Sequence, residues 1–327
     1  MPAADVTVII VNHDGGHHVV RCLKCLAVQT SLPARIILLD NASQDDSAAA
    51  CARTIAGDER LRHRAQVQEL DGNLGFAAAC NRGIDAADTP LVALLNPDAF
   101  PEPEWLERML AAAAAHPEAA AFGSRQMLDD RPEVIDGLGD RCHVGGLVWR
   151  GGHGRRLAAD DLRSREIFSP CAAAAIYRTA AVRDVGGFDD DFFCYVEDVD
   201  LGFRLRLAGH VARSVPDAVV RHVGGGSGRD GGRAASFFGH RNLVWSYVKN
   251  MPAMLLIVFL PLHLAETILA GAVLTARGHG AAFVRAKWEA LRGLPTAWRK
   301  RAGIQARRRA STAAIWRALD KSLFTRG

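Results

Sequence analysis

The sequence predicts an α/β domain with a mainly parallel sheet flanked by helices, followed by a membrane-associated helical segment. Three observations carry that prediction. Short apolar runs alternate with stretches of helical spacing over the first hundred residues, the pattern of strand–helix–strand units. Three of the runs stop at Asn12, Asp40 and Asp98, and open α/β sheets bind ligands at the carboxyl ends of their strands. Near residue 250 the composition turns to a long apolar run and then a basic tail.

Taken in order, VTVIIV at 6–11 reads as a buried strand that ends in Asn-His-Asp-Gly-Gly, a loop. Residues 17–29 have the apolar spacing of a helix, and ARIILLD at 34–40 is a second buried strand. The turn-rich NASQDDS caps a helix through the alanines at 48–52. A polar stretch leads to LDGNLGF and a helix around 76–86. PLVALLNPD at 90–98 is a third strand, and WLERMLAAAAAH is a helix. Residues 125–168 are rich in Gly, Arg and Asp without clear periodicity, as substrate-specific loops often are. PCAAAAIYRTAAVRDVGGF at 170–188 reads as strand, helix and glycine turn. Asp189, Asp190 and Asp191 are expected to form a solvent-facing turn without chemistry. A helix is expected from Asp198 to near Gly209, with Val199, Phe203, Arg206 and Leu207 on one side. Asp198 and Asp200 then sit in its first turn, where the helix dipole favours carboxylates.

Residues 251–327 form the second segment. The run 253–276 reaches membrane-spanning length and holds one charge, Glu266. Pro261, His263 and Glu266 near its middle favour a re-entrant or in-plane helix pair, with a true span as the alternative. Trp288, Trp298 and Trp316 alternate with Arg and Lys, which suits a segment at headgroup level. From Arg277 onward there are thirteen basic residues against two acidic ones, whereas the rest carries 27 basic and 34 acidic. An acidic body with a basic tail argues against a nucleic-acid-binding core and is compatible with a tail lying against anionic lipid or RNA. The seven cysteines lack zinc-ribbon spacing, and with no signal peptide they are expected to be structural thiols in a reducing cytosol.

VTVIIVNHDGG, LLDNASQDDS, DGNLGFAAACNRGI, LLNPDA, GGFDDDFFCYVEDVDLGFRLRLAG and RHVGGGS occur in that order. Over residues 5 to about 250 this resembles the family 2 glycosyltransferases of the GT-A fold, especially the bacterial rhamnosyltransferase-like branch that extends polysaccharide on a lipid carrier. The resemblance implies a nucleotide-sugar donor, dTDP-rhamnose being favoured, and a polyprenyl-diphosphate-linked acceptor at the cytoplasmic face of the cell membrane. Asn12 and Asp40 would bind base and ribose. Asn73, Gly75, Asn81 and Arg82 would lie beside the nucleotide, with Arg82 on a phosphate. Asn96-Pro97-Asp98 stands where many GT-A enzymes have Asp-X-Asp. Asp98 would hold Mn2+ or Mg2+ with His222, the cation offsetting charge on the leaving diphosphate. The glycines at 224–226 would let backbone amides approach a phosphate or the acceptor. His13 stands where an aromatic ring is usual in the family.

Inverting transfer needs one general base at the acceptor hydroxyl. The resemblance assigns it to Asp198, with Glu197 orienting the acceptor or assisting; the spacing of Asp200 suits a helix cap or a salt bridge to Arg204 at i+4. A non-catalytic sugar-binding scaffold is the alternative. A nucleotide-dependent oxidoreductase has little support, because NLGF is not the G-x-G-x-x-G fingerprint after the first strand.

Overall fold

The computed structural model describes residues 4–224 and 232–322; Gly225 and Gly226 of the expected glycine loop lie outside them. The chain runs β1 (Ala4–Asn12), α1 (Gly16–Ala27), β2 (Pro33–Asp40), α2 (Ser47–Gly57), α3 (Glu59–Arg62), β3 (Ala65–Glu69), α4 (Gly75–Ala86), β4 (Leu91–Leu95), β5 (Ala99–Pro101) and α5 (Trp105–Ala115). There follow β6 (Ala119–Leu128), β7 (Ile135–Gly137), β8 (Asp140–Cys142), β9 (Val148–Arg150), β10 (Glu166–Ile167), β11 (Ala174–Arg178), α6 (Thr179–Asp184), α7 (Glu197–Leu207) and β12 (Val211–His222). Four helices close the described chain: α8 (Arg233–Asn250), α9 (Ala253–Ala276), α10 (Gly280–Ala306) and α11 (Thr312–Ala318).

The main sheet has the order β10-β12-β6-β11-β4-β1-β2-β3. β3, β2, β1 and β4 are mutually parallel, and β6 is parallel to β12; β11 is inserted antiparallel between β4 and β6. The alternation of strand side chains divides the core into two layers. Val6, Val8 and Ile10 pack toward α1 and α5 on one face, whereas Ile9 and Val11 pack toward α4 on the other. A third apolar cluster joins Val199, Phe203 and Leu207 of α7 to Tyr247, Met251, Leu255, Ile315 and Leu319. The last described helix thus returns onto the sheet domain, and Val144 donates a backbone hydrogen bond to Asp320.

The apolar run is one helix, α9, with Pro261 inside it. Its polar residues face the domain: His263 Nδ1 is 2.7 Å from the Gly145 carbonyl, and Glu266 pairs with His143 at 2.5 Å. Met254, Ile257, Val258, Leu264, Ile268 and Leu269 are left exposed on the remaining face. α10 packs beside α8 and exposes Val284, Trp288, Leu291 and Trp298. Trp316 departs from the expected headgroup-level role. It is partly buried and stacks on Phe259, their centroids 5.3 Å apart.

Candidate active site

The parallel register brings the ends of β2, β1 and β4 side by side, so Asn12, Asp40 and the loop carrying Asn96 and Asp98 share one sheet edge. Asn12 is fully buried, with Nδ2 donating to Asp40, Ser43 and Ser47 at 2.8, 3.1 and 2.8 Å. It acts as a staple between the first two strand-end loops. Asp40 is 5% exposed and also accepts from the Ser43 amide and hydroxyl. The exposed groups at this edge are His13 and Asn73, whose ring Nε2 and amide Nδ2 are 3.1 Å apart. Asn73 also receives a hydrogen bond from the amide of Gly75. Gly75 has φ +79°, and a Cβ there would lie 2.6 Å from the Phe193 carbonyl oxygen, so only glycine fits this turn.

Asn81 and Arg82 fall outside this arrangement. Asn81 is a brace: it donates to the Phe188 carbonyl and to Asp190, and accepts from the Phe188 amide. Arg82 is exposed and does not line the cleft described next. The helical period turns both away from the sheet edge, which sequence spacing alone did not reveal.

A cleft of about 560 Å3 opens at the end of β4, lined by Asn96, Asp98, Asp140, Arg150, Glu197, Asp198 and His222 among others. A larger hollow, about 940 Å3, lies behind α7 against α10. Its central charges already pair with one another, so the smaller cleft is the candidate site.

Asp98 and His222, 124 residues apart, meet here with Oδ1 and Nε2 separated by 3.3 Å. The other ring nitrogen, Nδ1, lies 2.8 Å from Asp136, which is also bound by Arg150 at 2.6 Å. Burial opposes a charge on His222, yet the two carboxylates raise its pKa to about 9. This donor set fits a divalent cation: one carboxylate oxygen, one imidazole nitrogen and a carboxylate behind the ring that fixes its orientation. Among the described residues no group of three or more His, Cys, Asp or Glu side chains forms a closed cage. Asp98 and His222 would therefore hold the cation together with donor phosphate.

Asp198 lies in the first turn of α7 and accepts from two backbone amides, Ala172 at 3.0 Å and Val199 at 2.8 Å. The turn leading into it is strained: Phe193, Tyr195 and Val196 have φ of 62°, 68° and 70°. Asn242 of α8, fully buried, clamps that turn by donating to the carbonyls of Phe192, Cys194 and Tyr195. Burial raises the pKa of Asp198, opposed by the amide of Ala172 and the charge of Arg150. Glu197 is raised well above the ordinary range by burial and by the neighbouring Asp198, and Asp140 by the same two causes. Of the three, Asp198 is the one whose carboxylate accepts from the amides of both Ala172 and Val199, contacts that favour its charged form.

The sequence did not single out Asp136, Asp140, Arg150 or Asn242. The first three lie in the stretch 125–168, whose short strands were not legible. Asp189 corrects the expectation of a solvent-facing turn, whereas Asp190 and Asp191 are exposed as expected. Asp189 is nearly buried between Lys249 and Lys300, which holds its pKa down to about 2 although burial works the other way. Asp191 pairs with Lys300 at 2.6 Å. Asp200 pairs with Arg204 at 2.8 Å, as its i+4 spacing implied.

The family described as glycosyl transferase family 2 matches residues 7–186. An N-acetylglucosaminyl-diphospho-decaprenol L-rhamnosyltransferase of Mycobacterium tuberculosis is 30% identical over 250 residues, covering 68% of this chain and 78% of that protein. A pre-mycofactocin glycosyltransferase of the same species is 31% identical over 223 residues, 67% of this chain and 42% of the relative. The fold is similar to a mannosyltransferase from Pyrobaculum calidifontis in complex with GDP-Man and Mn2+: TM-score 0.56, 19% identity, 97% of this chain and 87% of that one. It is also similar to S. aureus TarS 1–349 in complex with UDP: TM-score 0.53, 15% identity, 79% of this chain and 70% of that one. With more than half of its length matched and the GT-A-like sheet in place, the chain belongs to glycosyl transferase family 2, in its rhamnosyltransferase-like branch.

Proposed function

We propose that this glycosyltransferase inverts the anomeric centre as it moves rhamnose or a similar deoxysugar from a nucleotide-diphosphate donor to a polyprenyl-diphosphate-linked saccharide. Its setting would be cell-surface polysaccharide synthesis at the cytoplasmic face of the membrane. The observation that carries the reading is Asp198, held by two backbone amides in the cleft that also holds the Asp98–His222 pair. dTDP-rhamnose is the favoured donor, because the mycobacterial relative is an L-rhamnosyltransferase.

His13 and Asn73 flank the nucleotide at the sheet edge, with Asp40 behind them, and the diphosphate extends toward Asp98. Mn2+ or Mg2+ bound by Asp98 and His222 would supply positive charge to the departing diphosphate. Asp198 takes the proton of the acceptor hydroxyl as that oxygen bonds to the anomeric carbon. The bond from that carbon to the diphosphate oxygen breaks on the opposite face, so configuration inverts without a covalent intermediate. Glu197, buried beside Asp198, would orient the acceptor. The exposed apolar faces of α9 and α10 support attachment in the membrane plane, since the polar residues of α9 are committed to the domain.

The test is a screen of nucleotide-sugars for thermal protection with and without Mn2+, followed by transfer to a lipid-linked saccharide. Protection by dTDP-rhamnose and a loss of about 100-fold or more in turnover for Asp198→Asn are expected. Unchanged turnover in that variant removes Asp198 as the base. Binding without turnover on any lipid-linked acceptor favours a scaffold.

A further inference from the structure

Among the buried cations, Lys249, Arg204 and Arg206 pair with carboxylates, and Arg301 is held by the carbonyls of Val248 and Met251. On the α8–α10 flank of the cleft, the partly buried Lys287 and Arg241 and the exposed Arg285 and Arg233 form no ion pair among the described residues. Lys287 is partly buried, and its ammonium donates to the His240 carbonyl at 3.0 Å. His240 itself lines the cleft, with Ala235, Gly239 and Leu243 of the same helix. Arg285 lies over the Phe237 ring at 5.2 Å. An ammonium drawn out of water with no anion beside it is a poised binding group, and burial lowers the pKa of Lys287 to about 8.

The other end of the cleft explains what such cations are for. Asp140, Glu197 and Asp198 crowd the acceptor region against one arginine, Arg150, which Asp136 already binds, so an acceptor that carries its own diphosphate meets no unpaired arginine or lysine among the described residues of the cleft. Its charge needs a counterpart outside that cluster. Next to Lys287, α10 exposes Val284, Trp288 and Leu291 at 66, 62 and 59%, a stripe at i, i+4 and i+7. A cation bordering an apolar stripe matches a ligand with an anionic head and a long hydrocarbon tail.

We propose that Lys287 and Arg285 form the subsite for the diphosphate of a polyprenyl-diphosphate acceptor, with the first isoprene units lying along Val284, Trp288 and Leu291. The inference rests on the reading of the acceptor as lipid-linked. It assigns the head-group contacts to this chain's α10, where neither the family motifs nor the relatives assign any.

The experiment uses the full chain in detergent and geranylgeranyl diphosphate as probe, with UDP or dTDP plus Mn2+ measured in parallel. Wild type is expected to bind the prenyl diphosphate. Lys287→Met should weaken it about tenfold or more and Lys287→Arg should recover most of the loss. Nucleotide affinity should stay within twofold in both variants, which separates this subsite from the donor site. Equal prenyl-diphosphate affinity in Lys287→Met and wild type overturns the proposal. So does displacement of the probe by phosphatidylglycerol vesicles at matched charge, which assigns these cations to bulk headgroups. Failure of the transferase reading would show separately, as absence of any nucleotide-sugar turnover with prenyl binding intact.

Discussion

Lys249 holds its ammonium 3.0 Å from Asp200, two residues beyond the proposed base, and both side chains are buried. The same ammonium meets Asp189, Asp189 also meets Lys300 of α10, and Asp200 receives Arg204 and Asn250. Charges from α7, α8, α10 and the preceding turn thus form one network on the side of α7 away from the cleft. Removing one member leaves its partners as uncompensated buried charges. Lys249→Met is expected to lower stability by about 3–5 kcal/mol in urea unfolding. A loss below about 1 kcal/mol would mean that water already satisfies the network.

The network also sets acid sensitivity. Asp189 has a folded pKa of about 2 against an ordinary 3.8, and Asp200 is likewise lowered by Lys249 and Arg204 against the effect of burial. A lowered folded pKa gives stability that is complete above the unfolded value and lost as pH falls through the folded one. For Asp189 that is about 2 kcal/mol, lost between roughly pH 4 and pH 2. Asp189→Asn should lose stability at pH 7 but show a shallower decline over that window. Identical slopes for the two proteins would contradict the assignment.

Asn242 bears on catalysis through geometry alone. Its amide fastens three carbonyls of the strained turn that aims Asp198. Asn242→Ala is expected to cut kcat at least tenfold while the donor KM stays within about twofold, because the nucleotide edge lies on other loops. A matching rise in donor KM with kcat unchanged would place its role elsewhere.

The exposed face of α9 gives a fourth expectation. Wild type should sediment with anionic vesicles and withstand moderate salt, since apolar burial is not screened. Ile257→Asp, Leu264→Asp and Ile268→Asp combined should shift most of the protein to the supernatant. Wild type left in the soluble fraction at low salt would remove the membrane-plane arrangement.

Much of this was legible in the residues. The apolar runs ending at Asn12, Asp40 and Asp98 gave a parallel sheet with a common ligand edge, because alternation and strand-end chemistry are local properties. The acidic start of α7 and the Asp200–Arg204 pair follow from helical spacing. β6 and β12 were not legible: β12 carries Arg213, Pro216 and Asp217, and its register shifts between Val215 and Val219.

By itself the sequence determined which residue types stand at the strand ends and helix starts, and so the chemistry available to the protein. Tertiary structure decided which of them meet. It made Asn12 a buried staple, brought His222 beside Asp98 and backed it with Asp136, and turned the acids at 189 and 191 into partners of Lys249 and Lys300. The physical reason is that local pattern is written in sequence neighbours. The burial and charge that decide whether a carboxylate acts as base, ligand or brace come from residues a hundred positions away.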